Sequence, residues 1–168
     1  MKKLAAQDRS ALIKLASGLK PGSPERVAIL AGLTKQSGED FNIPGKHILD
    51  NAIVRGNAYV GGKAEVKGDA KVFGNAKVYD KAKVYDKAEV SGDAHVFGNA
   101  EVFGDAMVWG DAKVYGDAKV SGDARVWGDA KVYGKANISG TAVIMGGDWD
   151  GSEGPITSGK WMAPGVRG

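Results

Sequence analysis

Two histidines, His47 and His95, and no cysteine occur among the 168 residues of the chain. Thiol nucleophiles, thiolate metal sites and disulfides are excluded at once. Catalytic zinc takes three protein ligands as a rule, and two histidines fall short unless a carboxylate joins them. Asp148, Asp150 and Glu153 alternate in a Gly-rich stretch, which invites calcium, but EF-hand spacing is missing and such acids are ordinarily solvated. No phosphate-binding loop, nucleophile elbow or paired-carboxylate motif stands out. The expectation is a chain with no catalytic residue, no cofactor and no metal.

The elements that position every side chain are set by a repeat. From Val54 to Ile144 an aliphatic residue recurs every six positions, sixteen times, as Val everywhere except Ile138 and Ile144. Alanine stands two residues before each of these from Ala58 to Ala142, and Gly stands two residues after, replaced only by Asp80 and Asp86. Ile48 and Ala52 extend the frame upstream, so an uninterrupted array covers residues 48–146. In Ala-x-Val-x the first and third residues share one face of a strand, because strand side chains alternate. Gly followed by Asp, Asn or Lys supplies a corner, with Gly free to take positive φ. Asp tolerates that region better than most residues, which suits positions 80 and 86. A helix is excluded, since a period of six keeps no helical face and Gly recurs too often.

The unit [Val/Ile]-x-Gly-[Asp/Asn/Lys]-Ala-x resembles the hexapeptide repeat of left-handed parallel β-helix proteins. The resemblance implies an all-β solenoid: a left-handed parallel β-helix of about 5.5 coils, with three hexads or 18 residues in each coil. It specifies fold far more than function, because the same prism carries acyltransferases, zinc enzymes and non-enzymatic scaffolds. The zinc enzymes use three histidines from neighbouring coils, and this chain has two, with His47 outside the array. The acyltransferases pair a catalytic His with a loop that interrupts the prism; here the frame is unbroken. An enzyme using His95 and an acyl-coenzyme A donor is therefore the second reading. Proteins built of Gly-Asp-Ala-x-Val runs, bacterial and phage-encoded, are the nearest in character.

With 18 residues per coil, residues 18 apart lie above one another and the outward positions sort into three faces. One stacks Tyr79, Phe97, Tyr115 and Tyr133 beside Lys77, His95, Lys113 and Lys131. A second stacks Glu65, Lys83, Glu101 and Lys119, alternating in sign, beside Lys67, Tyr85, Phe103, Ser121 and Ser139. The third carries Phe73, Ser91, Trp109 and Trp127 beside Lys71, Glu89, Met107 and Arg125. Alternating charges stabilise a sheet by a few tenths of a kcal/mol per pair. The aromatic and basic face is the candidate interaction face. Three uses are open to it: a structural ladder, a contact with a protein partner or another copy as a homotrimer, and a ligand site where sugars or bases stack on rings.

Residues 1–33 read as a helical hairpin, with Gly18 and Pro21 between its helices and Ser23-Pro24-Glu25 opening the second. It is a cap for the solenoid or a docking leader, and it is similar to short leaders ahead of phage-type proteins. Residues 34–47 read as a linker and 147–168 as an irregular C-terminal cap closed by Trp149, Ile156 and Trp161. Charge follows the same division: residues 1–47 hold eight Lys/Arg against four Asp/Glu, whereas residues 48–146 hold thirteen of each. A neutral body argues against nucleic acid held by phosphate contacts. No apolar run spans a membrane and no secretion signal opens the chain, so a cytoplasmic protein, virion-associated in a phage setting, is expected. The expected role is that of a non-enzymatic structural or interaction protein.

Overall fold

The computed structural model describes residues 47–163 and 166–167. The expected hairpin over residues 1–33 and all of the linker except His47 lie outside them. The hexads form an all-β parallel solenoid of about six turns, and the described residues contain no helix. Each Ala-x-Val-x contributes a two-residue strand, from Ile53–Val54 through Tyr59–Val60 to Val143–Ile144. Strands 18 residues apart pair in parallel, as Ile53 with Lys71 and Val54 with Val72 do. Successive strands thus fall in turn on three sheets. The tryptophan face is the eight-stranded sheet that starts at Ile53–Val54. The tyrosine face is the six-stranded sheet from Tyr59–Val60, and the glutamate–lysine face the five-stranded sheet from Glu65–Val66.

The core is a column of Val and Ala. Val60 to Val132, Ile138 and Ile144 are essentially fully buried, as are the alanines from Ala64 to Ala142. Burying one Val side chain is worth about 1.5–3 kcal/mol relative to leaving it exposed. Alanine stands beside each corner, where its small side chain is buried against the turn. Gly110 illustrates the corner itself: its φ is 70°, and a Cβ added to it would lie 3.1 Å from the Gly128 nitrogen of the next coil. Asp80 and Asp86 adopt φ of 63° and 62° in place of glycine. Their carboxylates each accept a hydrogen bond at 3.2 Å from a glycine N–H one coil on, Gly98 and Gly104.

The segment after Ile144 departs from the irregular cap expected of it. Asp148–Trp149 joins the tyrosine face and Lys160–Ala163 the tryptophan face, both in parallel register. The register shortens there, since Lys131 pairs with Asp148 and Val143 with Lys160, seventeen residues on. Trp149 takes the place of a Val, fully buried, and its indole N–H donates to the Gly146 carbonyl at 2.7 Å. Ile156 bridges to Ile138, and Val166–Arg167 pairs antiparallel with Lys160–Ala163. Trp149 and Ile156 extend the buried column and Trp161 packs against it; the continued stacking was hidden by loss of the hexad pattern. At the other end Ala52 and Val54 are only partly buried.

Candidate interaction face

Each strand of the tyrosine face points its Val inward and leaves two positions outward, one on either side. The first position carries Lys77, His95, Lys113 and Lys131 in direct register. The second carries the rings. Tyr79 stacks on Phe97 with centroids 5.0 Å apart and planes 2° from parallel, Phe97 on Tyr115 at 4.9 Å, and Tyr115 on Tyr133 at 5.1 Å. All eight residues of the expected face are therefore brought together. The spacing of strands forces the stack, and each ring offers its face to its neighbours and its edge to solvent. Above Tyr79 the next rung is Gly61, and the Tyr59 ring lies across the space that a side chain there would fill.

The basic column is less uniform than its sequence. Lys131 forms an ion pair with Asp148 at 3.1 Å, and that carboxylate raises its pKa. Lys77 and Lys113 form no ion pair among the described residues. Between them His95 is held below its ordinary value of 6.5, by desolvation first and then by the two lysines. The His95 ring meets Tyr79 edge-on at 6.2 Å. Burial, followed by the neighbouring Asp80, raises the Tyr79 hydroxyl above its usual range. A column of like charges stands beside a column of apolar edges, and such a strip is costly to leave bare.

The remaining candidates are placed elsewhere. His47 is buried at the start of the glutamate–lysine face, its Nδ1 donating to the Ala64 carbonyl at 3.0 Å, and so lies on a different sheet from His95. Among the described residues no group of three His, Asp or Glu could hold a metal ion. Asp148 is engaged by Lys131, while the Asp150 pKa is lowered by Ser152, first by its hydroxyl and then by its N–H, which donates to the carboxylate at 2.9 Å. On the glutamate–lysine face Glu101 stands 3.9 Å from both Lys83 and Lys119. Tyr85 stacks on Phe103 at 4.9 Å there.

Sequence reasoning understated the tryptophan face. Trp109 stacks on Trp127 at 5.9 Å, and the shortened register continues that column through Met145 to Met162. Among the described residues, Met162, Met107 and Phe73 are the most exposed large apolar side chains, at 56%, 37% and 39%. The hexad frame sets Met145 after Trp127, but Met162 lies seventeen residues further on and falls outside that frame. A cavity of about 310 Å³ opens beside Trp149 and Trp161, with Glu153 and Ser158 on its rim. Among the described residues no helix is long and apolar enough to cross a membrane. No family model, no curated protein and no solved structure matches the chain.

Proposed function

We propose that this protein is a non-enzymatic interaction scaffold, a stiff hexapeptide-repeat prism that presents the tyrosine face to a protein partner. The observation that carries this reading is the in-register column Tyr79–Phe97–Tyr115–Tyr133 beside Lys77, His95 and Lys113. A partner strip with apolar groups flanked by carboxylates would meet ring edges and unpaired ammonium groups together. Stacking of sugars or bases is less well supported, because the rings already face one another at 4.9–5.1 Å. The unbroken frame from residue 48 to 146 leaves no loop to enclose a cofactor, which weighs against acyl transfer by His95. The leader, with its surplus of basic residues, fits the docking of such a scaffold to an acidic partner, in the cytoplasm or on a phage particle. Calorimetric titration with acetyl-coenzyme A separates scaffold from enzyme. The scaffold gives no saturable heat; saturable heat that disappears in His95→Ala would overturn it.

A further inference from the structure

The charge pattern points to a second recognition surface: we propose that the glutamate–lysine face binds a second copy of this chain, face to face and antiparallel. This goes beyond the reading above, which concerns the tyrosine face. In a solenoid, sequence order is axial order. A two-fold axis lying in the interface, perpendicular to the solenoid axis, keeps each outward column on its own side and reverses its order. Applied midway between the Lys83 and Glu101 rungs, it sets Glu65 against the partner's Lys119 and Lys83 against the partner's Glu101. At one corner Lys63 meets the partner's Asp117, and at the other Lys87 meets the partner's Asp105. Between them Tyr85 meets the partner's Phe103. Symmetry makes every one of these contacts twice.

The one like-charge meeting is Asp69 with the partner's Asp123, at the outermost corner. Other arrangements are worse. A slip of one coil puts Lys83 against the partner's Lys119. A parallel pair, which swaps the columns side to side, puts Lys81 against the partner's Lys87 and Asp117 against the partner's Asp123. The same antiparallel operation on the tyrosine face puts Lys77 against the partner's Lys131 and His95 against the partner's Lys113. Like charges held opposite are disfavoured, so on the glutamate–lysine face the pattern selects one direction and one register, and it favours that face over the tyrosine face.

Two further observations agree. The lysines concerned remain open to a partner: Lys83 and Lys119 keep 48% and 56% of their side-chain exposure, and their ion pairs to the half-buried Glu101 are long, at 3.9 Å. Glu65, Lys63, Lys87, Asp105 and Asp117 form no ion pair among the described residues. Charge is also polarised along the axis. Residues 48–88 hold eight Lys/Arg against five Asp/Glu, and residues 89–153 hold five against eleven. Antiparallel copies lay the basic half of each on the acidic half of the other.

Sedimentation and light scattering on the full chain test the pairing. At tens of micromolar and low salt the wild type gives a dimer mass that falls toward monomer as salt rises. Lys63→Glu and Asp117→Lys each weaken the dimer by about tenfold or more, and the double variant Lys63→Glu/Asp117→Lys restores it. A wild-type monomer or trimer at low salt overturns the proposal. So does a double variant as dissociated as the singles, given unchanged circular dichroism in all three. Because the chain has no cysteine, direction is read separately. Lys67→Cys mixed with Ser121→Cys forms a disulfide between unlike chains; cross-linking of either variant chiefly to itself overturns the antiparallel arrangement.

Discussion

Asp80 and Asp86 show how a single residue is chosen by backbone and hydrogen bond together. Left-handed backbone disfavours a side chain by about 1–2 kcal/mol, and each carboxylate recovers part of that through the glycine N–H it caps. Asp80→Ala should therefore destabilise by about 1–2 kcal/mol, while Asp80→Gly stays within about 0.5 kcal/mol of wild type, as read by urea midpoints. Equal losses for both would contradict the account. His95 makes a prediction about pH. Its folded-state pKa lies below 6.5, so the unfolded chain takes up the proton first as pH falls. The contribution is nil above that value, and stability is lost as pH drops from it toward the folded pKa. NMR titration of the His95 ring checks the direction, and His95→Gln should flatten the slope of stability in that window.

At the level of strands and sheets, the hexad made most of the structure legible. Val54 to Ile144 set the inward column, Gly and the two aspartates set the corners, and the 18-residue sum of three hexads sorted the outward residues onto the right faces. The C-terminal strands were not legible, because Asp148–Trp149 and Lys160–Ala163 join sheets without Ala, Val or the corner glycine in the expected places. Tertiary packing decides there: the indole of Trp149 is fully buried at the end of the column, in a strand that pairs seventeen residues on instead of eighteen. Trp149→Ala should cost about 3–5 kcal/mol, more than any single outward ring, and thermal or denaturant unfolding reads this directly. A loss below about 1 kcal/mol would mean that the indole is not the plug the packing implies. Glu101→Gln, in contrast, removes two long ion pairs with exposed lysines and should change the stability of the monomer, read at high salt, by less than about 0.5 kcal/mol.

Across the whole molecule each coil touches only the coils before and after it, so stability is a sum of nearest-neighbour terms and the ends open first. Amide exchange should be slowest in the coils around Val90 to Val126 and faster near Ala52 and Val54, where the column is only partly buried. Uniform exchange along the chain would contradict a solenoid stabilised coil by coil. Length also gives the molecule its use, because regular stacking turns a hexad into continuous columns of rings and charges, and the tyrosine face is the strip on which the proposed function rests. The direct test is affinity capture from extracts of the producing cells, comparing wild type with Phe97→Ser/Lys113→Glu and with the control Phe73→Ser/Lys71→Glu on the tryptophan face. A bound protein partner is expected that the control retains and the tyrosine-face variant loses, with both variants folded by circular dichroism. Equal retention by both variants would contradict it.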